Sequence, residues 1–530
     1  MFESPKSGTS DRIPWGASPW LWLILLAYCV YWLTAFPNSD EAYYWLWGQR
    51  LDWSYYDHPP LHAWIQGLFS HLGHSRAVLR LPTLVSGGLF FGTYYRLARY
   101  LYGQRARQAW YVIFVCCWSS PLYFIFLTLA WQDQWLLAFS LLSLYGFIRF
   151  CEGYRQGEGA TLSLYGAALA LGLAGLCKYT AVFVALTMAA TLLMTPYLRP
   201  LFRERRLYGA TAIALLCQAP VLWWNVQNDW LSVQYYLSRS VDSGGGGLQP
   251  LGVLFFWLTS ALILSPLLVP PLAAALGQPW TQNQVPDLYR TAALGLFWIS
   301  TGSLSLVGLF STALYYWNIL AYILLLALVP TVFLPEENPA RWRRPRLFRN
   351  IQILGAVVAW LLVINYCIFP LAALAGEEGD PDGRMLFGWE KVATAVTTYQ
   401  SLPQYRQHRL ITTDYRSAAA LAYALDNPEV LAVSPRLDQF DVWLDIPSAA
   451  PVLVLADDWY PLATTAAPQL AQTQQLRAIP IQRFGQTIKT YYLYSGLFCP
   501  GERSAELGAA TLPDLETGPG RCPKSSGDRP

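Results

Sequence analysis

The chain carries a long succession of apolar stretches, each near the ~20 residues that a helix needs to cross the hydrocarbon core of a bilayer. They fall near residues 18–36, 77–97, 108–128, 133–150, 161–177, 179–197, 207–225, 250–274, 291–309, 312–333 and 350–374. Inside lipid every backbone polar group must bond within the protein, so such stretches predict a bundle of about 11 membrane-spanning helices. Two places leave the count open. The 161–197 stretch reads as a hairpin or as one long helix, and 291–333 runs on with only a brief polar break. Charged residues fill 13% of the 530 positions, about half the ~25% typical of a soluble protein. That deficit excludes a disordered chain, a nucleic-acid binder and an ordinary cytosolic enzyme.

Basic residues give the spans a direction, because Lys and Arg collect on the cytoplasmic side. With the N-terminus inside, Lys6, Arg12, Arg96, Arg99, Arg105, Arg107, Arg149, Arg155, Arg199, Arg203, Arg205, Arg206, Arg290, Arg341, Arg343, Arg344, Arg346 and Arg349 all face the cytoplasm. That is 18 of the 23 basic residues before position 376; Arg50, Arg76, Arg80, Lys178 and Arg239 remain outside. Residues 1–375 hold 23 Lys/Arg against 15 Asp/Glu, a net of +8, whereas 376–530 hold 13 against 18, a net of −5. The first span follows Lys6 and Arg12 and is too long for a cleaved signal peptide. The expected fold class is a mainly α polytopic membrane protein of the inner cell membrane. Its N-terminus is in, its C-terminus out, and it carries a small extracytoplasmic α/β domain.

Residues 376–499 read as that domain. Helical signals at 385–399 and 417–425 alternate with strand-like runs at 410–413, 430–433, 452–455 and 488–493. Segment 500–530, rich in Gly, Pro and charge, is expected to be disordered. Seven of the nine cysteines lie in or beside apolar stretches. Cys499 and Cys522 lie in the exported part, where an oxidising compartment allows a disulfide between them.

The residues that carry chemistry fall in the outer segments. Segment 37–76 holds Asp40, Glu41, Asp52 and Asp57 within a dense run of aromatics that includes Tyr43 and Tyr44. Interfacial aromatics anchor helices along the bilayer surface. A carboxylate held at that depth has less water around it, which suits one of these four to general-base work. The plainer reading is that Ser39 or Asp40 caps a helix over 41–50, and that Asp57, ahead of two prolines, forms a turn. His58, His62, His71 and His74 fall within 17 residues. His58 precedes Pro59 and cannot share a helix face with His62, so a zinc-type cluster is not expected and a phosphate contact by His58 is. Asp133, opening the fourth span, is a costly ionisable group or a helix cap. Lys178 is the one charge between Glu158 and Arg199; it reads as an anion ligand or as a snorkelling lysine. Arg239, in the outer segment 223–249, suits bidentate phosphate recognition.

The strings DEAYYWLW at 40–47, YDHPPL at 56–61, RLP at 80–82, CKYT at 177–180 and WNVQNDWLS at 224–232 resemble family-39-type bacterial membrane glycosyltransferases. These are relatives of the protein O-mannosyltransferases and the lipid A aminoarabinose transferases, with the GT-C fold. The likeness spans about 1–335, the expected transferase domain being 1–375 with its catalytic loop at 37–76. In the tail, GWE at 388–390, DYRSA at 414–418 and QFDVW at 439–443 resemble the domain that many of these proteins carry. The resemblance implies that Asp40 is the catalytic base and that Lys178, Arg239 and His58 meet the donor phosphate. It places Glu41, Asp57, Tyr43, Tyr44, Asp133, Trp224 and Asn225 on the acceptor or the sugar. In the relatives the acidic residue opening the fourth span usually follows Thr-Pro, whereas here Asp133 follows Trp131 and Gln132.

The implied reaction moves a sugar from a polyprenyl-phosphate donor to a hydroxyl of a glycolipid, polysaccharide or protein at the outer membrane surface, with inversion. The leaving group is already an anionic phosphate ester, so no cofactor is required; a divalent metal is compatible but not favoured. Membrane lipids are the other expected partners, and nucleic acid is not one. A transporter or lipid flippase of the envelope-glycan pathway competes with this reading, as does a non-catalytic scaffold. Transporters place ionisable groups near the midplane at repeat interfaces; here the charges sit in outer segments and no internal repeat is visible.

Overall fold

The computed structural model describes residues 18–499 apart from 158, 242–247, 278–285, 335–343, 377–378, 435, 445, 447–448 and 467–468; the side chains of 238–241 and 277 are also outside the description. Each expected apolar stretch winds into helix, but many are broken. The order is α1 (Pro19–Thr34), α2 (Ser39–Gln49), α3 (Leu61–Ser70), α4 (Arg76–Tyr102), α5 (Ala106–Ser119), α6 (Pro121–Thr128), α7 (Gln132–Arg155), α8 (Thr161–Gly175) and α9 (Val182–Met194). Then come α10 (Arg205–Leu216), α11 (Ala219–Gln227), α12 (Leu231–Val241), α13 (Pro250–Leu264), α14 (Val269–Gly277), α15 (Asp287–Phe310), the short α16 (Ile323–Leu326) and α17 (Pro330–Phe333), and α18 (Pro345–Val363).

The expected count of straight spans is not reproduced. Among the described residues three single helices are long and apolar enough to cross a membrane, or up to eight if each bent pair counts as one span. Proline supplies several of the breaks, since it removes a backbone donor and clashes with the preceding turn. One lies at Pro121, where the chain turns by 85°, and another near Pro196, where it turns by 111°. The ambiguous 161–197 stretch is two helices, separated by Lys178 in extended conformation. The 312–333 stretch runs as 3₁₀ helix over Tyr315–Tyr322 before α16 and α17.

The tail holds α19 (Pro381–Arg384), α20 (Trp389–Gln400), α21 (Tyr415–Leu425), α22 (Gln439–Trp443) and α23 (Leu462–Thr465) around one five-stranded sheet. Its strands are β1 (Arg409–Thr412), β2 (Leu431–Ala432), β3 (Ala450–Asp457), β4 (Leu470–Arg483) and β5 (Gln486–Phe498), ordered β2-β1-β3-β5-β4. β1 pairs parallel with β2 and β3, and the β4–β5 hairpin adds antiparallel to β3. The sequence reading missed β4. This edge strand is largely exposed, contains Pro480 and is interrupted by register shifts, so it lacks the apolar alternation of a buried strand. Cys499 is disulfide-bonded; its expected partner Cys522, like all of 500–530, lies outside the described residues.

Although α2 passes the hydropathy test together with α1, it packs on α3 and on α21 of the tail. It therefore lies beside the sheet domain, outside the apolar bundle. At the α2–α3 contact two glycines meet. A Cβ on Gly48 would stand 2.7 Å from the Gly67 nitrogen, and one on Gly67 would stand 2.7 Å from the Gly48 oxygen.

Candidate active site

Helix α2 is capped by Asn38, not by the expected Ser39 or Asp40. The Asn38 side chain accepts from the Glu41 N–H at 2.8 Å and the Glu41 carboxylate accepts from the Asn38 N–H at 3.2 Å, a reciprocal capping box. Asp40 is thereby released from capping. Among the described residues no hydrogen bond or ion pair engages its carboxyl, which faces a cavity of about 670 Å³. Asp40 is half-buried where it meets that cavity. Burial, with the nearby carboxylates of Asp382 and Asp57, pushes its pKa up to about 7; Arg416 and Lys178 pull the other way.

Glu41 turns inward. Arg80 grips it with two bonds, Nε to Oε1 at 2.8 Å and Nη2 to Oε2 at 2.7 Å, and both residues are fully buried. The remaining Arg80 nitrogen donates to the carbonyls of Trp32 and Ala35 at the end of α1. Glu41 Oε1 also accepts from the Ala130 N–H at 2.9 Å. The Ala130 carbonyl lies 2.8 Å from His62 Nε2. Burial pushes His62 down to about 4, so the ring is neutral at physiological pH and Nε2–H donates. Loop 37–76 thus holds both polar groups of Ala130, and Trp131 Nε1 donates to Asn38 at 3.2 Å. These contacts fix the start of α7.

That start carries Asp133, which is no cap: Trp131 occupies the capping position, and its side chain makes no capping bond to the helix. Instead Asp133 receives Lys178 Nζ at 2.7 and 3.0 Å, and the ammonium lies 5.5 Å over the Tyr316 ring. Lys178 is buried rather than snorkelling to water. Across the cavity Tyr236 donates to the Asp57 carbonyl at 2.6 Å and lies 3.3 Å from His58 Nδ1. The cavity wall therefore brings together Asp40, Tyr43, Tyr44, Asp57, His58, Asp133 and Lys178. Part of the wall is apolar, formed by Phe124, Phe126, Phe183, Ile263, Val307 and Leu362.

Three expected contacts do not reach this wall. Glu41 is committed to Arg80. Trp224 is buried and donates to Asp52 at 2.9 Å, and Asn225 is buried and donates to the Val221 carbonyl at 2.9 Å. Glu41 and Trp224 brace the loop, and Asn225 bonds within α11. The Arg239 side chain lies outside the described residues.

The residues that sequence reasoning missed come from the tail. Asp382, Tyr415, Arg416, Arg436 and Asp438 line the same cavity. Arg416 pairs with Asp382 and Asp414, each at 3.0 Å, and Arg436 lies 3.8 Å from Asp57 and donates to the Tyr235 hydroxyl at 3.1 Å. Gln439 locks the two parts together: its Oε1 accepts from the Tyr56 N–H at 2.7 Å and its own N–H donates to the Tyr43 hydroxyl at 3.1 Å. The motif strings at 414–418 and 439–443 were visible as a tail likeness, but nothing local tied them to position 40.

Residues 57–224 match the family described as dolichyl-phosphate-mannose-protein mannosyltransferase. The lipid A galacturonosyltransferase RgtD of Rhizobium johnstonii is 29% identical over 202 residues, a stretch that spans 37% of this chain and 40% of that protein. Among solved structures, ArnT from Cupriavidus metallidurans in the apo state superposes with a TM-score of 0.55 at 16% identity, over 93% of this chain and 98% of that one. The same protein bound to undecaprenyl phosphate gives a TM-score of 0.55 over 89% and 97%. The chain thus shares its fold along most of its length with ArnT, and over residues 57–224 it carries the sequence pattern of the mannosyltransferase family.

Proposed function

We propose that this chain is an integral-membrane glycosyltransferase that moves a sugar from a polyprenyl-phosphate donor to an acceptor hydroxyl at the outer face of the inner membrane. One observation carries the reading: a single cavity joins the Asp40 carboxyl to the Lys178 ammonium and to an apolar wall. The wall suits an isoprenoid chain, and the undecaprenyl phosphate held by a neighbour of the same fold supports that lipid class. Its relative's name supports a glycolipid of the lipid A type as acceptor. The topology that fits is N-terminus in and C-terminus out, with an odd number of crossings to which the shorter apolar helices, such as α8, contribute beside the long and bent ones. Residues 1–375 then form the membrane part and 376–499 the extracytoplasmic domain. Packing of α2 on α21 supports it, because loop 37–76 and the tail must share one side.

In this reading the Asp40 carboxylate accepts the proton of the acceptor hydroxyl as its oxygen attacks the anomeric carbon. The bond from that carbon to the phosphate oxygen breaks, its electron pair leaves with the phosphate, and Lys178 stabilises the charge that develops. Asp133 holds the lysine in place before the donor arrives. A single displacement from the face opposite the phosphate inverts the anomeric centre. The phosphate leaves as an anion, so the step requires neither a general acid nor a metal.

Replacing Asp40 by Asn tests the assignment. The variant is expected to lose transfer by ~10²–10⁴-fold, the worth of a positioned base, while retaining affinity for undecaprenyl phosphate. Transfer at the wild-type rate would remove Asp40 from the role of base.

A further inference from the structure

We propose that Gln132 recognises the donor sugar, its side-chain amide hydrogen-bonding one ring hydroxyl; this inference rests on the transferase reading above. Gln132 lies on the cavity wall and is only 2% exposed. Its Oε1 is buried and, among the described residues, takes no hydrogen bond, while the amide otherwise contacts the Tyr44 hydroxyl. Buried polar atoms in folded proteins nearly always find a partner, so an unmet one beside a substrate cavity points to a group that the ligand brings. A sugar hydroxyl both donates and accepts, and it satisfies the amide whichever way the O and N are assigned.

The surroundings make Gln132 a rigid reader. Its backbone follows Ala130, whose N–H and C=O are both engaged by Glu41 and His62. The next residue, Asp133, holds Lys178. Phosphate and ring hydroxyl would therefore be read from adjacent positions, placing the sugar between Lys178 and Asp40.

The test uses the full chain in lipid nanodiscs. The probes are undecaprenyl phosphate, its glucosyl, mannosyl, galactosyl and galacturonosyl derivatives, and the ring-deoxy form of each. Wild type is expected to bind one glycosyl derivative more tightly than undecaprenyl phosphate and to lose about 3–10-fold on removal of one hydroxyl, the size of a single hydrogen bond. Gln132→Leu should bind undecaprenyl phosphate normally and no longer distinguish that deoxy form, while Gln132→Glu, which keeps an acceptor oxygen, should still distinguish it. If the Leu variant retains the wild-type ratio, or wild type distinguishes no deoxy form, the inference is overturned and the transferase reading stands. If wild type binds no undecaprenyl phosphate, the transferase reading falls first and this inference with it. Should the Leu variant lose undecaprenyl phosphate affinity through misfolding, the shorter amide of Gln132→Asn decides by the same ratio.

Discussion

Adjacent residues Asp40 and Glu41 have opposite fates, and the difference can be measured. A base must be ionised to accept a proton, so kcat/KM for transfer is expected to rise from pH 6 to pH 8 with a midpoint at about 7, the value to which burial pushes Asp40. The same shift has a stability sign. The folded state binds this proton more tightly than the unfolded chain, so ionising Asp40 lowers stability as pH climbs from the ordinary carboxylate range through about 7. Asp40→Asn should therefore melt above wild type at pH 8, with the gap narrowing by pH 5; a lower melting temperature at pH 8 would contradict the buried, unpaired carboxyl. Glu41→Gln should do the reverse. It leaves Arg80 charged and fully buried without its partner, a loss of about 3–5 kcal/mol, read as a fall in melting temperature at every pH near neutrality. Nothing in the string DEAYYWLW separates these two acids. The distinction comes from which one the capping box turns inward.

At the scale of elements, short segments aim the site and long helices carry it. Helix α2 is eleven residues long, and its approach to α3 depends on Gly48 and Gly67. Gly48→Ala would force its Cβ to 2.7 Å from backbone nitrogen, so α2 must shift, at ~1–3 kcal/mol for overpacking. Loss of both stability and transfer is expected, because the shift moves Asp40 relative to Lys178. Gly87→Ala in α4 is the control: an added Cβ there meets nothing within 4 Å, and the better helix former should be neutral or slightly stabilising. Equal effects from the two substitutions would dismiss the close approach. The apolar stretches were legible as helices because twenty apolar residues in lipid have little other choice. Their breaks were less so: the extended Lys178 and the 3₁₀ run from Tyr315 are set by packing around the cavity rather than by local preference. Expected elements of the tail at 417–425 and 452–455 were found for the same reason that β4 was missed, since only strands and helices with a buried face print a period into the sequence.

Across the whole molecule the site is assembled from parts nearly four hundred residues apart, as Gln439 with Tyr43 and Tyr56 shows. That joining could not be read locally. Charge counts placed the loop and the tail on one side of the membrane, but no spacing rule says that Arg416 and Arg436 turn into the cavity of Asp40. The arrangement makes topology a sharp test, because a donor and acceptor presented outside need both walls outside. Cysteines introduced at Trp53 and Gln407, both exposed, are expected to react in intact cells with a thiol reagent that cannot cross membranes. Cysteines at Arg107 and Arg199, also exposed, should react only after permeabilisation if, as the excess of basic residues predicts, their loops face the cytoplasm. Labelling of Trp53→Cys and Gln407→Cys from opposite sides would contradict the docking of α2 on α21. Labelling of both only after permeabilisation would keep the fold but turn the cavity toward the cytoplasm, and transfer at the outer surface could not then occur.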